Sequence, residues 1–483
     1  MNTTAEFSSL LSPLPVSILL SGLLAIGMFS WLRPSGRISF FHAKDNRLLL
    51  TKKSKSDTKE QTTLADICRA ATPEKCNLNP FLFNGHLQTA WTAVKSYDIP
   101  VYYKRKMFEA DSPAYSGHFA LDFVVPPYET PNDDEVTDKA RKHTQPSGLP
   151  ERTSFFTQDE LTALPSDDTK PMLVLLHGLS GGSHEIYLRH VVAPLVADGT
   201  WEACVVNSRG CAQTKISTGV LYNARATWDT RQTVKWLRKN FPNRPLFGIG
   251  FSLGANILTN YLGEEGEACQ LKAAVLVGSP WNLEISSVEM LRTWMGREVY
   301  SKTMGRSMKR LFENHVDEVS KNPRVDVKTV RSITYLHEFD RALQCACWGY
   351  PTEGAYYRDA SSTDPMLGIR IPFFVVQSED DPIVSPKAVP FQEITQNPYG
   401  VMMTTSWGGH LGWFEYGGGR WFVKPVLNFL NKMAKEVDIN APVIVDHPEK
   451  LPGNIANHFG PGKDFDTAPK PEFNPVRRRL AMP

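Results

Sequence analysis

The sequence predicts an α/β fold: a mostly parallel central sheet with helices on both faces and a helical insertion. Three observations predict it. From Leu173 onward, short apolar runs alternate with longer amphipathic stretches. The short runs are apolar throughout, as strands buried on both faces are. Small motifs carrying serine, carboxylate and histidine each sit just beyond one of these runs, where such sheets place their sites.

The N-terminus is read first. Pro15 to Leu32 read PVSILLSGLLAIGMFSWL, an uncharged run just long enough to cross a bilayer as a helix. Its upstream flank has no Lys or Arg and one acid, Glu6. Its downstream flank has Arg33, Arg37, Lys44, Arg47, Lys52 and Lys53. The positive-inside rule then sets the bulk of the chain on the cytoplasmic side. The expectation is a membrane anchor within residues 1–40, at the endoplasmic reticulum, a lipid droplet or the mitochondrial outer membrane. A cleaved signal peptide would carry its basic residues before the apolar run. Pro13 and Pro15 also fit a monotopic insertion, as on a droplet surface.

The folded domain is expected over 41–440. Residues 118–125 alternate apolar and polar, as an antiparallel strand at the start of the sheet would. Residues 128–170 are polar, charged and Pro-rich, which predicts a long exposed loop. Core strands are expected at 173–176, 203–206, 246–250, 271–277, 373–377 and 401–405, and helices at 185–197, 223–240 and 255–262. The 223–240 helix sets Ala226, Thr230, Thr233, Val234 and Leu237 on one side. Residues 281–370 are helical in character. There Met290, Leu291, Trp294 and Met295 share a face, and Met304, Met308, Leu311 and Phe312 follow at similar spacing. Two readings fit: an ordinary helical insert packed on the sheet, or a lid whose apolar face lines an acyl-binding site. The insert's place over the strand ends favours the lid. Residues 441–483, rich in Pro, Asn and Lys, predict an extended or disordered tail.

Composition excludes several function classes. With 483 residues, 41% hydrophobic and 22% charged, a sizeable core can form and global disorder is excluded. The net charge of +2 and the lack of a basic stripe speak against a nucleic-acid partner. The seven cysteines are scattered, which is no disulfide framework. Cys345 and Cys347, two apart, suit neither a zinc knuckle nor a redox pair. No H-E-x-x-H or comparable ligand spacing occurs, so neither a metal nor a cofactor is expected.

Gly250-Phe251-Ser252-Leu253-Gly254 follows an apolar strand and opens a helix. That is the setting of a nucleophile elbow, a tight strand-to-helix turn that exposes a serine hydroxyl. The pattern alone is weak, because Gly178-Leu179-Ser180-Gly181-Gly182 also fits and also follows a strand. Ser180 is set aside: it follows the first core strand and comes directly after His177-Gly178, the kind of turn that supplies an oxyanion hole. The backbone N–H groups of Leu179 and Leu253 are the candidate oxyanion donors, each worth about 3 kcal/mol in a transition state. After strand 373–377 come Ser378-Glu379-Asp380-Asp381-Pro382. Asp381, directly before the proline, is preferred to Asp380, with Glu379 behind. Asp340 and Asp359 fall in the insert and read as structural. After the last strand, Trp407-Gly408-Gly409-His410-Leu411-Gly412 gives a glycine-rich loop able to carry His410 back over the sheet. His177 precedes the oxyanion turn, and His86 sits in an N-terminal loop. Ser252, Asp381 and His410, in that order and each after a strand, follow the order of the α/β-hydrolase fold.

Those residues carry a resemblance. His177-Gly178-Leu179-Ser180-Gly181-Gly182, Asn207-Ser208-Arg209-Gly210-Cys211 and Gly250-Phe251-Ser252-Leu253-Gly254-Ala255-Asn256 resemble the AB hydrolase 4 family. So do Asn79-Pro80-Phe81, Asn84-Gly85-His86-Leu87-Gln88-Thr89, Asp340-Arg341, Tyr356-Tyr357-Arg358-Asp359-Ala360-Ser361 and Gly408-Gly409-His410. The resemblance runs from about 79 to 435. It implies an α/β-hydrolase fold, a triad carried on Ser252, Asp381 and His410, and acyl chemistry on lipophilic esters or acyl-CoA thioesters. Water or an alcohol would be the acceptor, at a membrane or lipid-droplet surface. The anchor and the charged loop are most like the fungal medium-chain fatty acid ethyl ester synthase/esterases. Monoacylglycerol or phospholipid lipases, and pathway-specific hydrolases or acyltransferases of fungal secondary metabolism, are the other enzymatic readings. A non-catalytic membrane scaffold is the reading from another class. No histidine is followed by the H-x-x-x-x-D acyltransferase pattern.

Overall fold

A computed structural model describes residues 21–22, 35–45, 47–53, 60–94, 98–128 and 149–446. The strands are β1 (Ile38–His42), β2 (Arg47–Thr51), β3 (Gln61–Thr63), β4 (Tyr102–Glu109), β5 (His118–Val125), β6 (Thr153–Phe155), β7 (Met172–Leu176), β8 (Glu202–Asn207), β9 (Leu246–Phe251), β10 (Leu271–Val277), β11 (Phe373–Ser378), β12 (Gly400–Thr405) and β13 (Ile444–Asp446). A ten-stranded sheet runs in the order β1-β12-β11-β10-β9-β7-β8-β5-β4-β6, and a small one in the order β13-β2-β3. The stretch from β12 to β8 is parallel throughout. β1, β5 and β4 pair antiparallel at the flanks.

The parallel strands are mostly apolar because both faces are covered. Every residue of β7, β9, β11 and β12 is buried. On one face Leu173, Leu175, Phe247 and Ile249 pack with helices α1 (Leu64–Ala71), α3 (Ile186–Val196) and α8 (Val423–Lys435). On the other, Val174, Leu176, Ala274 and Leu276 pack with α4 (Trp228–Asn240) and α5 (Leu253–Glu265). Each fully buried Leu, Ile, Val or Phe stabilises the fold by about 1.5–3 kcal/mol. Chain order explains where a site can form. β7 lies between β8 and β9, so the chain steps outward to β8 and then crosses back to β9. α3 and α5 therefore leave to opposite faces and open a crevice at the carboxyl ends of β7 and β9.

Three expected boundaries move. β1 starts at Ile38, so residues 38–40, expected within the anchor, belong to the sheet. β13 lies beyond 440 and pairs with β2. The helix expected from Asn223 begins at Trp228, because Asn223 turns back to accept the Arg225 N–H through its side chain. In the expected loop 128–170, residues 149–170 contain β6 and a capped helix, Gln158–Ala163. Residues 129–148, the tail 447–483 and all but residues 21 and 22 of the apolar run lie outside the described residues. Among the described residues, no helix is long and apolar enough to cross a membrane.

One buried ion pair ties the antiparallel flank to the crevice. Arg105 on β4 makes two hydrogen bonds to Asp122 on β5, and both side chains are fully buried. Ser183, in the turn after β7, donates to the same carboxylate at 2.6 Å. Asp122→Ala would strand a buried guanidinium, and we expect a loss of about 3–5 kcal/mol in chemical unfolding. A loss within 1 kcal/mol would show that the pair is not structural.

Candidate active site

Ser252 follows β9 and caps α5 at φ 52° and ψ −121°, a conformation that L residues avoid. Its neighbours make the turn possible. A Cβ on Gly250 would lie 2.5 Å from the Gly254 oxygen. One on Gly254 would lie 2.4 Å from the Leu176 and His177 oxygens. α5 can therefore start hard against the end of β7 only because both positions are glycine. The Ser252 N–H donates to the Val277 oxygen, which fixes the turn to β10.

His410 reaches the serine from the loop after β12. Its Nε2 lies 2.8 Å from Ser252 Oγ, and its Nδ1 lies 2.7 Å from Asp381 Oδ2. Asp381 Oδ1 accepts from the Ile383 and Val384 N–H groups. A carboxylate so surrounded by donors acts as an acceptor, so the histidine proton sits on Nδ1. The Nε2 lone pair then faces the serine hydroxyl. Asp380 does a different job: it accepts from Gly409 N–H and Ser378 Oγ and holds the histidine loop. Glu379 accepts from Arg37 and Thr404.

The turn after β7 faces the serine. The Gly178 N–H donates to Tyr187 Oη and the Ser180 N–H to Tyr222 Oη. The Leu179 N–H between them has no acceptor among the described residues, nor has the Leu253 N–H in the first turn of α5. Leu179, Leu253 and Ser252 line one cavity. His177 shapes this turn as a neutral ring, because burial pushes its pKa down to about 4. Its Nδ1–H donates to the Gly178 oxygen, and its Nε2 accepts the Ser208 N–H. No hydrogen bond joins the Ser180 hydroxyl to a described histidine.

Some site residues were not singled out from sequence. Thr89 accepts the His410 N–H, and Gln88 accepts the Phe414 N–H. Both stand on α2 (Gly85–Val94), behind the histidine loop. Their only signal was their place in the Asn84 to Thr89 motif. The insert roofs the cavity, which holds about 100 Å³. Met290 on α6 (Leu283–Arg292), together with Met304 and Met308 on α7 (Lys302–Glu313), gives an apolar wall. Trp294 follows the end of α6 and is 67% exposed, not on the shared inward face expected of it. Asp340, read as structural, lines the cavity. A larger depression of about 780 Å³ opens at the other end of the strands, around Lys53, Arg238, Arg244 and Lys272. Its thiol, Cys269, is pushed up to about 12 by burial, and its cations are spent on carbonyls and Asp168. No cluster that could hold a metal occurs among the described residues.

Comparison with known proteins decides the family. A monoacylglycerol lipase of Saccharomyces cerevisiae is 37% identical over 403 residues, which cover 80% of this chain and 88% of that protein. The chain belongs to the α/β-hydrolase family. A family model described as the alpha/beta hydrolase fold matches residues 171–392 of this hydrolase. A medium-chain fatty acid ethyl ester synthase/esterase of the same yeast is 31% identical, over 84% of this hydrolase and 97% of that protein. A phospholipase of Homo sapiens is 30% identical over 54% of this hydrolase and 63% of its own length. The protein is thus a serine ester hydrolase.

The glycine crossing gives a direct test. Gly254→Ala places a methyl against two backbone oxygens that cannot yield. We expect a loss of about 3 kcal/mol or more, read as a lowered Tm or failure to accumulate. A variant as stable as wild type would refute the close crossing.

Proposed function

We propose that this hydrolase cleaves medium-chain fatty acyl esters or thioesters through an acyl-serine, with Ser252 as nucleophile, His410 as general base and Asp381 as its orienting acid. The observation that carries this reading is the continuous hydrogen-bonded line from Ser252 Oγ through His410 to Asp381. As Oγ attacks the carbonyl carbon, its proton passes to His410 Nε2. The negative charge that forms on the carbonyl oxygen is met by the Leu179 and Leu253 N–H groups. His410 then gives its proton to the departing alcohol or thiol, leaving acyl-Ser252. Water or an alcohol, deprotonated by His410 in turn, attacks that ester; the acyl–Oγ bond breaks and His410 returns the proton to Ser252 Oγ. Water yields the acid, and an alcohol yields a new ester. The names of the two yeast relatives support both outcomes.

The reading extends to the membrane. The uncharged run from Pro15 to Leu32 anchors the chain, with the hydrolase domain on the cytoplasmic side. The insert is a lid, and its outer surface supports docking on a lipid surface. α6 turns Ser286 and Met290 into the cavity and Ile285 and Val288 outward, and the exposed Trp294 follows. A cavity of about 100 Å³ is small beside ordinary ligand pockets, so a medium acyl chain enters when the insert shifts.

Hydrolysis of p-nitrophenyl octanoate, measured beside labelling by a fluorophosphonate probe, tests the reading. Ser252→Ala should abolish both. Asp381→Asn should lower kcat by about 10³–10⁴, because the histidine loses its orienting acceptor. Full activity in Ser252→Ala would remove Ser252 from the mechanism.

A further inference from the structure

The cavity at Ser252 has apolar and polar stretches of wall. Its polar stretch includes a short π-helical turn, Asp340–Gln344. Asp340 and Gln344 are four residues apart and face the cavity together. Both are at least nine-tenths buried. Gln344 Nε2 donates to the Tyr222 oxygen, which fixes the amide and leaves Oε1 buried without a partner. Asp340 accepts one hydrogen bond, from Tyr357 Oη to Oδ2 at 2.7 Å. Among the described residues no cation pairs with it, and Arg341 turns away to Glu353. Burial pushes the Asp340 carboxyl up to about 7.

Such an arrangement is costly unless a donor meets it. A buried acceptor without a donor loses its hydration and gains nothing in return. Here the Gln344 Oε1 acceptor lacks a donor, and the Asp340 carboxylate beside it borders the same cavity as the reactive serine. The partner Gln344 lacks is a donor, and an ester can bring one as a free hydroxyl. Resting on the ester-hydrolase reading above, we propose that the Asp340–Gln344 stretch of the cavity wall binds a free hydroxyl of the substrate. The enzyme then prefers hydroxyl-bearing esters to hydroxyl-free esters of the same chain length. The hydroxyl sits either on the alcohol half, as in a glycerol monoester, or on the acyl chain. A site with buried acceptors rejects a ligand that cannot satisfy them.

Binding of ethers that cannot be cleaved tests this without relying on turnover. The probes are 1-O-octylglycerol, with hydroxyls on the alcohol side, 8-ethoxyoctan-1-ol, with one on the chain, and 1-ethoxyoctane, with none. Calorimetry on the wild-type protein should show one of the first two binding at least about tenfold more tightly than 1-ethoxyoctane. Which one does so identifies the half of the ester that is read. Gln344→Met and Asp340→Leu, which remove the acceptors at similar volume, should each erase most of that preference. Equal affinities in the wild type, or no measurable binding of any ether, overturn the proposal, and this reading needs no variant to fold. Hydroxyl preference in a protein that cleaves no ester would sink the catalytic reading alone. Equal affinities in an active esterase would sink the hydroxyl site alone.

Discussion

The close crossing of α5 over the end of β7 sets everything else at this site. Helix and strand meet backbone to backbone at Gly254, where even a methyl would overlap the Leu176 and His177 oxygens. That contact forces the chain through φ 52° at Ser252, and the strain is held by the buried sheet on either side. The same contact brings the β7 turn, with Leu179, against the serine. Ser252 and the donor that faces it are therefore products of one packing constraint. It arises where the strand order reverses, between β7 and β9.

Around this crossing the molecule fixes polarity by giving backbone N–H groups chosen acceptors. His177 is kept uncharged by burial and spends both ring nitrogens on backbone groups. Tyr187 and Tyr222 occupy the N–H groups on each side of Leu179, so one donor of that turn is left for a ligand. Asp381 receives two backbone N–H groups, which sets the direction of every proton in the line to Ser252. α2 then braces the histidine loop through Thr89 and Gln88. Preorganisation of this kind costs no rearrangement when charge develops.

The parallel strands were legible because a strand covered on both faces is apolar at most of its positions. Expected and observed bounds differ there by at most a residue or so, as at 246–250 against Leu246–Phe251. Residues 271–277 and 118–125 coincide with β10 and β5. Pairings between distant segments left no local mark. β1 joins β12 across more than 350 residues, and β13 joins β2 across nearly 400. The helix start at 223 failed because an asparagine turn overrode the helical pattern. At the site, the glycines around Ser252 and His410 announced their turns, since few other residues tolerate them. Asp340 gave no such sign, because an acid in a helical insert is usually solvated. Only its burial beside Gln344, within reach of the cavity, sets it apart.

The central claim is that an acyl group passes through the Ser252 oxygen, and trapping that intermediate tests it most directly. The protein would be mixed briefly with p-nitrophenyl octanoate, quenched in acid and mapped by peptide mass spectrometry. An octanoyl group on Ser252, absent from every peptide of Ser252→Ala, is the predicted result. An octanoyl group on Ser180, or ester consumed by the Ser252→Ala protein at the wild-type rate, would contradict the account.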